Sequence, residues 1–272
     1  MTLSPLLQRY DQVILDLDGC VWIGDQPVDG SVAAVSALRK AGKRVAFATN
    51  NSWHPGEEHV ARLWRLGIQA SLGDVVTVGG ALQHLLAETR SGRRAFVIGR
   101  ESLRRHVAEA GLKVLNGTDL ASRVDVVVVG GTDDVDYDDL RNASLAVRRG
   151  AELLGTARDP TLPMPDGFWP GSGAILAAVE TASEARALIV GKPKPQLFLT
   201  ALDRLGEGRT LVVGDRLDSD VAAATAAGLD AALVLSGGAT AEDADAVSGT
   251  GPVAVAETLG ELVKSGVPRE GA

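Results

Sequence analysis

At 272 residues, 45% hydrophobic but only 4% aromatic, the chain is long enough to bury a sizeable core and reads as an α/β protein of one or two domains. Its formal net charge of −8, with Lys and Arg spread thinly rather than gathered in blocks, argues against nucleic acid or an anionic membrane surface as a partner. One cysteine, Cys20, excludes an intramolecular disulfide; no apolar run approaches the ~20 residues that span a bilayer, and MTLSPLLQRYDQ lacks the basic start and apolar stretch of a signal peptide, so the cytoplasm is the expected compartment.

Apolar, β-branched runs alternate with Ala-, Leu- and Arg-rich stretches from the first residues onward. VILDLD at 13–18 is followed by VAAVSALRKAG, RVAFATNN at 44–51, PGEEHVARLWRLG, VVTVGGALQHLL and AFVIG. This alternation predicts parallel strands joined by crossover helices, and the near-continuous apolarity of the strands fits a sheet covered on both faces. Gly42, Gly67, Gly111 and Gly228 each stand just past a periodic segment, where a helix stops. The middle repeats the pattern with VDVVVVGG at 124–131, a helix over DYDDLRNASLAVRRG, the strand AELLGTA and a helix over AILAAVETASE. The last third brings ALIVGKPKP, the helix QLFLTALDRLG, the strand TLVVGD, the helix DSDVAAATAAG and the strand AALVLSGG, with a frayed tail after about Ser265. So many βα elements exceed one comfortable open sheet, which predicts two compact units.

In a doubly wound sheet, ligands sit beyond the carboxyl ends of the strands, and four such ends here carry chemistry. Asp16 and Asp18 close the first, one residue apart, so that they share a face and repel unless a divalent cation or a proton relieves them. Alone, the pair reads equally well as a solvated turn with a helix cap. Thr49, Asn50 and Asn51 end the second with a hydroxyl and amides suited to a phosphoryl oxygen. Lys192 follows ALIVG, held between Gly191 and Pro193. Asp215 ends TLVVGD, with Asp218 and Asp220 at the start of the next helix, and such oxygen ligands suit Mg²⁺. Each has a plainer role as turn residue, surface lysine or cap; four in order after parallel strands make coincidence a poor account.

The set DLDGCVW, FATNNS, VGKPKPQLF and VVGDRLDSDV resembles the four motifs of the haloacid dehalogenase superfamily of aspartate-nucleophile phosphatases. Their order and spacing resemble the branch with a large α/β cap between the second and third motifs, which includes 4-nitrophenylphosphatase-like, phosphoglycolate, glycerol-phosphate and pyridoxal-phosphate phosphatases. The resemblance covers almost the whole chain. It implies a Rossmann-like, doubly wound core in two parts, residues 1–76 and 186–272, with a specificity-setting cap over 77–185. It further implies Asp16 as nucleophile, Asp18 as general acid and base, and Lys192, Thr49, Asn50 and Asn51 around the phosphoryl group. Mg²⁺ is expected against the Asp16 side chain, the Asp18 backbone carbonyl and Asp215, with Asp220 in support and Asp218 as the alternative to it. The expected substrate is a small-molecule phosphate ester, with no nucleic acid or membrane involved, and a homo-oligomer through the cap fits the branch.

Within the cap, ARDPTLPMPDGFWPGSGAI is the loop expected to face the substrate, with Phe168 and Trp169 either there or in the core. Pyridoxal-phosphate members carry a histidine where Leu162 stands, which argues against that substrate, and Arg158 or Asp159 is expected to read a small polar leaving group. Trp22 reads as pocket-entrance lining or as packing, Cys20 as a small buried filler, and His54, His59, His84 and His106 show no metal spacing. Two other readings use similar residues: a phospho-accepting receiver protein, whose acceptor would lie later in a chain less than half this length, and a catalytically silent phosphate binder, which would be expected to have lost the nucleophile or the lysine. A Rossmann dehydrogenase lacks its G-x-G-x-x-G after the first strand.

Overall fold

The computed structural model describes residues 3–245 and 251–267. Six parallel strands form the main sheet in the order Ala254–Ala256, Asp230–Val234, Thr210–Gly214, Gln12–Leu15, Arg44–Thr49, Val75–Thr77. Gln12–Leu15 is thus central and lies between the strands that precede Asp215 and Asn50. Side chains alternate across these strands: Val13, Leu15, Val45, Phe47, Leu211 and Val213 pack on one face, Ile14, Ala46, Ala48 and Val212 on the other. Both faces are covered, so the strands need no polar side.

A second, five-stranded parallel sheet has the order Leu188–Ile189, Glu152–Gly155, Val126–Val129, Arg94–Ile98, Lys113–Val114. In VVVV, Val126 and Val128 face the apolar cluster shared with the main sheet, and Val127 and Val129 face an outer one, which is why all four positions are apolar. Two helices, Tyr137–Arg148 and Ser172–Ser183, pack against each other over that outer face; the first is started by a capping box between Asp136 and Asp139. The expected boundary at 185/186 assigns Leu188–Ile189 to the core, whereas that strand pairs in the second sheet. The ladder runs on through Val190 N–H to Gly155 O (3.0 Å) and Gly191 N–H to Thr156 O (2.9 Å).

The segment expected as a Pro- and Gly-rich loop contains an antiparallel hairpin, Thr161–Met164 with Gly167–Pro170. No helix among the described residues is long and apolar enough to cross a membrane.

Candidate active site

The first strand delivers Asp16 directly above Ile14, and the chain then turns back on itself: the N–H groups of Cys20, Val21 and Trp22 all donate to Leu17 O. Gly19 makes this turn at φ 83°, and a Cβ there would lie 2.4 Å from Asp215 Oδ2, so only glycine lets the turn lie against that carboxylate. Asp16 is buried. Its Oδ1 accepts from Lys192 Nζ at 2.7 Å, and the same ammonium reaches Asp220 Oδ1 at 2.6 Å and Ala48 O at 3.3 Å. Asp215, also buried, accepts from the Gly238 N–H at 2.6 Å.

Oxygen atoms of Asp16, Asp215 and Asp220 lie within 4.8 Å of one another, so three carboxylates face one ammonium. Burial pushes the Asp16 carboxyl well above its ordinary range; Lys192 opposes this, and Asp220 and Asp215 add to it. Asp215 is pushed up to about 7, first by burial and then by the charge of Asp220, against the pull of Gly238 N–H and Lys192. For Lys192 burial acts downward, but Asp16 and Asp220 outweigh it and leave the ammonium raised. Excess carboxylate charge in a buried, oxygen-rich cluster fits a hard divalent cation.

The Asp18 carboxylate has different partners. Its Oδ1 accepts from the Trp22 indole at 2.9 Å, and its Oδ2 from Asn51 Nδ2 at 3.0 Å, with Thr49 Oγ1 at 3.5 Å. Asn50 binds the backbone of Lys192 on both sides, its Oδ1 accepting from Lys192 N (2.8 Å) and its Nδ2 donating to Lys192 O (3.1 Å); that Nδ2 also reaches Asp159 Oδ2 at 2.9 Å. Arg216 lies 3.5 Å from Asp159 and pairs with the exposed Asp218 at 3.1 Å. Asp220, not Asp218, is therefore the residue in the carboxylate cluster.

A cavity of about 60 Å³ opens on these groups, and all eight residues expected at the site, Asp16, Asp18, Thr49, Asn50, Asn51, Lys192, Asp215 and Asp220, line it. From the hairpin segment come Asp159, Thr161, Leu162, Pro163 and Ser172. Phe168 and Trp169 are on neither expected place: they are 61% and 38% exposed, outside the cavity, because the hairpin turns them outward. Arg158 instead pairs with Glu180 at 2.7 Å. Trp22 is fully buried rather than at an entrance, and Cys20 is buried too. Trp53, Gly131, Arg216 and Ser219 also line the cavity without having been singled out. Arg216 and Ser219 lie inside VVGDRLDSDV, and Gly131 at the end of VDVVVVGG, so the strand-end rule extended to the second sheet points to it.

Residues 13–113 match the family model of haloacid dehalogenase-like hydrolases, and residues 189–262 a second, HAD-hydrolase-like model. The chain is 39% identical over 243 residues to the D-glycerol 3-phosphate phosphatase of Mycobacterium tuberculosis, covering 89% of this chain and 67% of that protein. It is 32% identical over 260 residues to the acid sugar phosphatase of Staphylococcus saprophyticus, covering 95% and 98%. The crystal structure of the Mycobacterium tuberculosis glycerol phosphate phosphatase in complex with magnesium superposes with a TM-score of 0.85 at 38% identity, over 97% of this chain and 79% of that one. By motif, fold and likeness together, the chain belongs to the haloacid dehalogenase-like hydrolases, among the phosphatases that carry a cap.

Proposed function

We propose that the protein hydrolyses small-molecule phosphate monoesters, with polyol or sugar phosphates as the substrate class, through an aspartyl-phosphate on Asp16. The observation that carries this reading is the separation of two neighbouring carboxylates: Asp16 is held by the Lys192 ammonium at 2.7 Å, Asp18 by Trp22 and Asn51. Two adjacent carboxyls with different partners can take different parts in the reaction, as nucleophile and general acid must.

In this mechanism Asp16 attacks phosphorus while Lys192 aligns the carboxylate and offsets phosphoryl charge. Asp18 gives its proton to the departing oxygen and later takes one from the water that opens the aspartyl-phosphate. Thr49 and Asn51 hold Asp18, and Asn50 fixes the backbone of Lys192. Asp16 and Asp215, with the Asp18 carbonyl and Asp220 in support, would hold Mg²⁺, which when bound neutralises charge on the transferring group. The polar groups of Asp159, Thr161 and Ser172 support a hydroxyl-bearing leaving group, and Leu162 beside them leaves no histidine for a pyridoxal ring. We assign residues 77–185 as the cap, extended to Ile189 by the strand pairing.

The test is Asp16→Asn, assayed with glycerol 3-phosphate and p-nitrophenyl phosphate plus Mg²⁺. Turnover should vanish while the fold persists; retained Mg²⁺-dependent hydrolysis would remove the covalent mechanism.

A further inference from the structure

Trp22 does not line the cavity, yet it makes one of the two short hydrogen bonds to Asp18. Its indole is fully buried and packed against two side chains of the helix Gly56–Arg65. The His59 ring lies parallel to it, with centroids 6.2 Å apart and 5° between planes, and the Arg62 guanidinium carbon sits 4.2 Å from the ring centroid. Its backbone is tied as well, Trp22 N–H donating to Leu17 O at 3.1 Å and Trp22 O accepting from Gly19 N–H at 2.7 Å. An indole N–H donates only, so in this position it always demands an acceptor, and Asp18 Oδ1 meets the demand at 2.9 Å. On the far side Asn51 Nδ2 holds Oδ2, and the Asn51 amide is itself oriented because its Oδ1 accepts from Trp53 N–H at 2.9 Å. Donors from two different elements thus grip opposite oxygens and stop the carboxyl from rotating.

We infer that Trp22 is a positioning residue for the acid–base step: packed against His59 and Arg62 of the helix Gly56–Arg65, its indole N–H sets the orientation of the Asp18 carboxyl toward the leaving oxygen. This rests on the mechanism proposed above. In the step concerned, a bond forms between an Asp16 oxygen and phosphorus, the bond from phosphorus to the ester oxygen breaks, and the electron pair stays on that oxygen, which takes the Asp18 proton and departs as the alcohol. Misorientation of Asp18 therefore matters in proportion to how much the leaving oxygen needs a proton. A glycerol alkoxide needs one; p-nitrophenolate hardly does.

The experiment replaces Trp22 with β-(3-benzothienyl)alanine, which keeps the bicyclic shape and lacks the N–H, and in parallel makes Trp22→Phe. Single-turnover phosphoryl transfer is followed with glycerol 3-phosphate and with p-nitrophenyl phosphate, and thermal midpoints report the fold. The isostere should transfer from glycerol 3-phosphate about tenfold more slowly than the parent, with KM within about twofold and transfer from p-nitrophenyl phosphate nearly unchanged. Unchanged rates with both esters, or equal losses with both, overturn the assignment. Should Trp22→Phe fail to fold, the isostere alone decides. Asp18→Asn keeps the two ideas apart: full transfer from glycerol 3-phosphate in that variant would sink the acid–base mechanism, whereas a parental rate in the isostere with a slow Asp18→Asn sinks only the role of Trp22.

Discussion

The Lys192 ammonium, 2% exposed, bridges Asp16 and Asp220. Breaking a buried pair leaves the partners' charges uncompensated, typically at about 3–5 kcal/mol. Lys192→Met should therefore lower kcat by about 10²-fold or more and destabilise the protein by a few kcal/mol, read from steady-state assays and urea unfolding. His59 was legible only as a histidine without metal spacing. Burial, more than its charged neighbours Asp18, His54, Arg62 and Glu58, lowers it to about 4, against roughly 6.5 in an unfolded chain. Between those values the unfolded chain takes up a proton that the folded one refuses, so stability rises with pH there. That contribution is complete above about pH 6.5 and is lost as pH falls toward 4, on the order of 3 kcal/mol. Urea midpoints at pH 4.5 and 7 should differ more for the parent protein than for His59→Phe, which keeps an aromatic face against Trp22.

Among the elements, the central strands and most helices were readable because apolar runs and glycine stops mark them locally. The hairpin of Thr161–Met164 with Gly167–Pro170 was not: four prolines and two glycines in PTLPMPDGFWPG signal loop more strongly than two four-residue strands signal sheet. Nor was the membership of Leu188–Ile189, since which sheet a strand joins is decided by tertiary pairing rather than by its own residues. The loop after Asp230–Val234 carries a tighter requirement. A Cβ on Gly237 would lie 2.1 Å from Asp215 Oδ2, and the whole carboxylate is buried, with little room to move aside. Gly237→Ala should displace Asp215 and weaken Mg²⁺ activation by about tenfold or more, seen as a right-shifted Mg²⁺ titration of activity; an unshifted titration would take Asp215 out of the ligand set.

For the molecule as a whole, two sheets share one apolar cluster running from Ile14 and Val76 through Leu82 and Leu103 to Val128 and Leu154. Polar links reinforce it at the site: Ser102 Oγ donates to Trp53 O at 2.9 Å, Gly131 N–H to Ser52 Oγ at 3.1 Å, and Asp159 receives Asn50. Sequence order foretold a second layer but not these stitches, which join residues far apart along the chain. Asp159→Ala should lower kcat/KM for glycerol 3-phosphate by about tenfold, because the hairpin segment then loses its hold on Asn50 and Arg216; an unchanged value would leave Asp159 without a part in substrate use.

The run from Leu188 to Gly191 hydrogen-bonds along the edge of the second sheet, and the very next residue is Lys192, whose side chain ends in the heart of the first. The Lys192 backbone is therefore tied to both layers, through Gly191 to the edge of the second sheet and through Asn50 to the end of Arg44–Thr49. Under the mechanism proposed above, any tilt of one layer against the other would pull on the one ammonium that faces Asp16 and Asp220.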